Sequence, residues 1–350
     1  MKKLIKKTAG ALLLGAAFTL CACGGKESAA AGESVSPAAV ENTVADTAEN
    51  EKKISVTAVI FPEYDWAREL IAGEAGHVEL TWLVDNGADL HSYNPSAKDI
   101  MTVTGSDVLI YTGGESTGWV DDLLRTAENK DMKVVNLLEV LGDRAKEEEL
   151  LEGMEEEHEH GREEAHDHEE ETEYDEHVWL SLKNAEILCD ALTGALCEAD
   201  PACADIFRKN NEAYRAKLQS LDARYAEAVK AGSRDCLLFG DRFPFRYLAE
   251  DYGLTCFAAF PGCSAETEAS FETIAFLAGK KDELGLNCVM TLEGTDHRIA
   301  ETIVKNTAAK TGQILTLDSL QSVTREEVLG GKTYLSAMEE NLGVLTKALE

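Results

Sequence analysis

Short β-branched runs alternate with amphipathic helical patterns along most of this 350-residue chain, and one long helical stretch divides the alternation in two. Ile54–Phe61, Val78–Val84, Asp107–Tyr111 and Lys133–Leu137 read as strands. Helical patterns lie between them: one through Trp66, Leu70 and Ile71, then Ser96–Thr104 and Trp119–Thr126. Leu182–Cys197 follows as a further helix. Strand–helix–strand order implies a mostly parallel sheet, because a parallel neighbour is reached only through a crossover connection. Asp200-Pro201 then opens a helix to about Lys230, with Tyr214, Leu218, Leu221, Tyr225 and Val229 spaced along one face. About thirty residues at 1.5 Å each span about 45 Å, enough to bridge two lobes. Beyond it the strands Cys236–Phe239, Thr255–Ala259, Cys288–Leu292 and Gln313–Leu317 alternate with the helices Phe245–Asp251, Phe271–Leu284, Ile299–Thr311 and Tyr334–Leu349. The expected class is α/β: two Rossmann-like lobes of alternating strands and helices joined by one long rigid helix. Residues 54–199 form the N-terminal lobe, 200–232 the linking helix and 233–350 the C-terminal lobe. Ligands are expected at the carboxyl ends of the strands, in the interlobe cleft.

Charge is distributed unevenly. The net charge is −32, and the stretch from Lys146 to His177 alone holds seventeen acidic against two basic residues. Such acidity argues against nucleic acid as a partner, since phosphate must be neutralised by Lys and Arg. It favours cations. Within this stretch His158/His160 and His166/His168 form two H-x-H pairs. Imidazole and carboxylate together ligate borderline and hard metals, so residues 147–176 read as an accessory, mobile metal-collecting loop. A merely solvated acidic loop is the plainer alternative, and the paired histidine spacing argues against it.

The N-terminus reads as a targeting segment. Lys2, Lys3, Lys6 and Lys7 precede an apolar core, Ala11–Leu20, too short to span a bilayer. Leu20-Cys21-Ala22-Cys23 resembles the bacterial lipobox. Residues 1–22 are then a lipoprotein signal peptide, and lipidation falls on Cys23. Residues 23–53, rich in Ala, Ser, Gly and Glu, are a flexible tether. This places the protein at the cell membrane, lipid-anchored on its extracytoplasmic face. Seven cysteines lie beyond Cys23, an odd number without C-x-x-C spacing. Cys197 and Cys203 flank a turn they could bridge. The others read as buried thiols.

Two further histidines carry the strongest chemistry. Asp89-Leu90-His91-Ser92-Tyr93-Asn94-Pro95 and Asp175-Glu176-His177-Val178-Trp179-Leu180 resemble the two metal-ligand motifs of the zinc/manganese ABC-importer solute-binding lipoproteins (cluster A-I). Tyr111-Thr112-Gly113-Gly114 and the Tyr334–Leu349 helix also match that family. An acidic His-rich loop before the second histidine is typical of its zinc-specific members. The resemblance covers the chain from Ile54 to its end. It implies that His91 and His177 ligate the ion from the first lobe.

The same resemblance places a third ligand, His or Glu, at the start of the second lobe's first helix. This chain reads Gly240-Asp241-Arg242-Phe243-Pro244 there, with no histidine. Asp241 is the nearest group able to ligate, because Arg242 stays protonated. A helix N-cap is its alternative role. Glu293 and His297 are further candidates, Glu293 also as a partner of a ligating imidazole. The fourth ligand that the resemblance implies, a carboxylate after the penultimate strand, falls on Asp318. Two imidazoles with two carboxylates also suit manganese, while the His-rich loop points to zinc.

The expectation is a monomeric, non-enzymatic lipoprotein that captures Zn2+ (Mn2+ being the alternative) and delivers it to an ABC permease and its ATPase. Capture should weaken as pH falls through about 6.5, where imidazole protonates. An extracytoplasmic zinc metallohydrolase with Glu293 as base is a different class, but no H-E-x-x-H or nucleophile elbow supports it. A passive metal buffer or adhesin acting only through its loop is a third.

Overall fold

Ile54, Val56 and Thr57 favour extended backbone, and Ile54–Ala58 forms the first strand, β1. It stops before Phe61, where the sequence pattern alone would carry it, because Pro62 seeds the first turn of α1 (Phe61–Leu70). A computed structural model describes residues 53–74, 76–127, 129–154, 173–264 and 268–350. Cys23 and its flanks, and His158, His160, His166 and His168, lie outside the described residues.

The first half continues with β2 (Val78–Trp82), α2 (Ala97–Thr104), β3 (Val108–Tyr111), α3 (Gly118–Thr126), β4 (Lys133–Asn136), α4 (Leu137–Leu141) and α5 (Leu182–Ala199). Ser96 caps α2: its Oγ accepts from the Asp99 N–H while Asp99 accepts from the Ser96 N–H. The strands pair in parallel in the order β2-β1-β3-β4.

The second half comprises α6 (Ala204–Ala231), β5 (Cys236–Phe243), α7 (Arg246–Tyr252), β6 (Thr255–Pro261), α8 (Phe271–Glu283), β7 (Cys288–Leu292), α9 (Arg298–Asn306), β8 (Gln313–Leu317), α10 (Arg325–Leu329) and α11 (Tyr334–Leu349). Its strands are also parallel, in the order β6-β5-β7-β8. Each sheet thus runs second, first, third, fourth. The reversal beside each first strand parts the loops at the carboxyl ends and leaves a crevice there.

α6 holds 28 residues, so it is about 42 Å long. It begins at Ala204 rather than Asp200, because the Asp200 carboxylate accepts the N–H groups of Ala202 and Cys203 and closes a separate turn. Cys197 and Cys203 do not bridge that turn. Cys197 faces the Ala204 carbonyl, Cys203 faces Glu74, and all seven cysteines from Cys189 onward are free thiols.

α6 is not the only tie between the lobes. Trp66, Trp179, Tyr225, Phe239 and Tyr334, drawn from both halves, share one apolar core. Burying each such ring contributes roughly 3 kcal/mol. The Trp179 indole donates to the Ser319 carbonyl at 2.9 Å, and the Tyr334 hydroxyl donates to the Trp179 carbonyl at 2.6 Å. A smaller cluster, including Leu238, Val289, Leu277 and Ile303, lies between the second sheet and helices α8 and α9. No helix among the described residues is long and apolar enough to cross a membrane.

Candidate metal centre

His91 sits on a single turn, Leu90–Ser92, in the connection after β2. Buried Leu90 pins the turn, and Asp89 caps it by accepting the His91 N–H at 3.0 Å. The imidazole Nδ1 lies 2.6 Å from the Ser116 hydroxyl. Its Nε2 points into the cleft.

His177 precedes a buried turn, Val178–Leu180, and is itself fully buried. Asp175 Oδ1 accepts both its backbone N–H at 2.9 Å and its Nδ1–H at 2.8 Å. A carboxylate can only accept, so the proton resides on Nδ1 and Nε2 carries a lone pair. The two Nε2 atoms stand 3.3 Å apart, and the Gln321 carboxamide nitrogen lies 3.1 Å from His91 and 2.8 Å from His177. The carboxamide nitrogen thus lies within hydrogen-bonding distance of both Nε2 atoms.

Glu176 braces this arrangement. It accepts the Ser116 N–H at 2.9 Å, and its second oxygen stands 3.9 Å from His91 Nδ1. Only glycine fits at position 114, because a Cβ there would meet Glu176 Oε1 at 2.4 Å.

The second lobe brings Cys263, just after β6, to this pair. Donor atoms of His91, His177 and Cys263 all lie within 4.8 Å of one another. Sequence reasoning missed both Cys263 and Gln321. The legible signal was position: Cys263 follows the second strand of its lobe, as His91 follows the second strand of the first.

The expected carboxylates stand apart from the two imidazoles. Neither Asp241 nor Asp318 forms such a group with the two histidines among the described residues. β5 runs on to Phe243, so Asp241 lies within the strand, in a register shift between Phe239 and Arg242, rather than at a helix start. There it accepts the N–H groups of Leu292 and Arg242. Asp318 pairs with Lys332 at 2.7 Å and accepts the Leu320 N–H. Glu293 accepts the Ser319 N–H and hydroxyl, and His297 stands at the start of α9 in a left-handed conformation. Neither joins the imidazoles. A separate group, Glu74, His77 and Cys203, lies where β2 begins, at the opposite end of the strand from His91.

Residues 56–348 match the family described as zinc-uptake complex component A, periplasmic (ZnuA). The chain belongs to the ZnuA family. It is 33% identical over 298 residues to the zinc-binding lipoprotein AdcA of Streptococcus pneumoniae, covering 85% of this chain and 56% of AdcA. It thus spans about half the length of that relative. It is 27% identical over 347 residues to the high-affinity zinc uptake system protein ZnuA of Bacillus subtilis, covering 99% of each. Among solved structures, the Zn(II)-bound ZnuA-like domain of S. pneumoniae AdcA superimposes with a TM-score of 0.65 at 28% identity, covering 85% of this chain and 99% of that one. The zinc-binding protein TroA of Treponema pallidum shares the fold, with a TM-score of 0.66 at 21% identity over 85% of this chain and 99% of its own. ZnuA-family proteins are solute-binding components of zinc uptake, not enzymes.

Burial dominates the electrostatics of this ZnuA-family cleft. Burial, with His177 alongside, pushes the His91 imidazole down to about 3 despite the pull of Asp89. Burial also pushes the Glu176 and Glu148 carboxyls up. Burial, then Glu148 and its neighbours Glu176 and Asp175, pushes the Cys263 thiol well up. Asp89 behaves oppositely: burial works against its charge, but Arg242 at 2.7 Å holds it below the usual carboxylate range. That ion pair crosses between the lobes beside His91.

Proposed function

We propose that this chain captures Zn2+ on the outer side of the cytoplasmic membrane and delivers it to an ABC permease and its ATPase. The observation that carries the reading is the convergence of a buried imidazole, His177, and a half-buried one, His91, each with Nδ1 engaged and Nε2 directed at a common point. Two nitrogens each about 2.05 Å from a tetrahedral zinc stand about 3.3 Å apart. That spacing matches the 3.3 Å between His91 and His177. Zinc is therefore favoured over manganese, whose preference for oxygen would need the carboxylates that stand elsewhere. Cys23 supplies the lipid anchor, residues 24–53 the tether, and His158, His160, His166 and His168 a weaker collecting loop. The chain acts as a monomer.

Titration calorimetry of the full chain in detergent tests this. One tight zinc site is expected, weakened at least about a thousandfold, roughly 4 kcal/mol, in the His91→Ala/His177→Ala variant. Tight binding that survived both substitutions would remove the cleft assignment.

A further inference from the structure

We infer that Cys263 is the third zinc ligand, a thiolate that the second lobe adds to the two imidazoles of the first. The inference rests on the zinc-capture reading and deepens it. Three independent observations converge on the sulfur.

The first is distance. Cys263 is the only described His, Cys, Asp or Glu whose donor atom groups with both imidazoles within 4.8 Å. A tetrahedral zinc would bring sulfur and nitrogen to about 3.5 Å, from bonds of about 2.3 and 2.05 Å. The sulfur therefore stands at most about 1.3 Å beyond that separation from either nitrogen.

The second is the way the chain reaches the site. Pro261-Gly262-Cys263 lies directly on His177, and a Cβ at Gly262 would meet the imidazole Cε1 at 2.9 Å and the Phe243 carbonyl at 3.0 Å. The glycine permits an approach that a larger residue would block, and it sets the next side chain beside both rings. The Cys263 N–H, donated to Glu148 at 3.3 Å, ties the loop to the first lobe.

The third is elimination. Asp241 is held by backbone N–H groups, Asp318 by Lys332, and Glu293 by Ser319. Arg242 bears a permanent charge and is committed to Asp89. A cation there would repel the ion unless so neutralised. Among the described His, Cys, Asp and Glu side chains of the second lobe, this leaves the thiol as the donor.

As the sulfur–metal bond forms, the S–H bond breaks and its proton leaves to solvent; no electrons are exchanged. A His-His-thiolate set is softer than a His-and-carboxylate set. It selects zinc and other thiophilic ions and rejects manganese.

Co2+ is the optical probe, added to the full chain in detergent. The expected result is a near-ultraviolet sulfur-to-cobalt charge-transfer band together with visible bands of tetrahedral cobalt. In Cys263→Ser the charge-transfer band is lost, the visible bands persist, and zinc affinity falls at least about tenfold, or about 1.4 kcal/mol. The collecting loop has no cysteine, so it contributes no such band. Alkylation of the unaltered chain gives a second readout that needs no variant. Zinc should protect the Cys263 peptide and leave the labelling of the other cysteines unchanged. Cobalt bound without a sulfur band, a band that survives Cys263→Ser, or alkylation of Cys263 indifferent to zinc would overturn the thiolate and leave zinc capture standing. Absence of tight zinc or cobalt binding in the unaltered chain would instead overturn zinc capture itself.

Discussion

The two lobes share one strand order yet contribute differently to the proposed metal centre. In each, the connection after the second strand reaches the cleft, with His91 in the first lobe and Cys263 in the second. The segment after the fourth strand also reaches it, with His177 in the first lobe and Gln321 in the second. The first lobe offers imidazoles whose outward nitrogens are already satisfied by Ser116 and Asp175. Its half of the site is pre-organised before an ion arrives. The second lobe spends its carboxylates on its own framework and presents a thiol and a carboxamide. The same fold can thus supply a rigid half-site and an adaptable one, depending on where its acidic side chains find N–H groups and lysines.

The largest effect that probes this contrast is expected at Asp175. Asp175→Asn keeps the shape but removes the charge behind His177, so zinc affinity should fall about 10- to 100-fold by calorimetry. An unchanged affinity would mean that the first lobe's half-site is not held by its supporting carboxylate.

Next comes pH, where His91 of the first lobe and Glu293 of the second should respond with opposite sign. His91 has a folded value of about 3 against an ordinary 6.5. Between those values the unfolded chain binds the proton and the folded one does not, so the metal-free protein loses stability as pH falls from about 6.5 towards 3. Burial, with Asp318 nearby, raises Glu293 from 4.5 to about 7. In that window the folded state keeps a proton that the unfolded chain has lost, so this contribution weakens stability as pH rises from about 4.5 to 7. Melting temperatures of the metal-free chain across pH 3–8 should therefore flatten on the acid side in His91→Asn and on the neutral side in Glu293→Gln. Identical profiles in the two variants would erase the distinction.

The smallest effect should come from the carboxylates of the second lobe. Asp318→Asn and Asp241→Asn should each change zinc affinity less than about threefold, while costing about 1 kcal/mol of stability in denaturant unfolding. A loss of affinity comparable to that of His91→Ala would restore them as ligands.

Much of the fold was legible because each strand and helix carries its own apolar period. Cys288–Leu292 and Gln313–Leu317 form where the pattern places them, and α11 matches residue for residue. Errors gathered where a local signal competes with the pattern: Pro62 ends β1 early, and the Asp200 turn delays α6. Of the proposed metal centre, His91 and His177 stood out because their flanking motifs are local. Asp241 was misplaced because a strand that continues through a register shift has no mark in the sequence. Cys263 was passed over because a single cysteine in an apolar run reads as a buried thiol.

Periodicity, charge and short motifs therefore determined the class of fold, the expectation of a cationic ligand and the first half of the proposed site, since each depends on neighbours within a few residues. The second half was decided only by tertiary structure. Whether a carboxylate is free to bind an ion depends on which amide or ammonium group packs against it. Asp318 meets Lys332, fourteen residues on, and Asp241 meets Leu292, fifty-one residues on. Cys263, eighty-six residues on from His177, approaches it in the fold. No local pattern records those meetings.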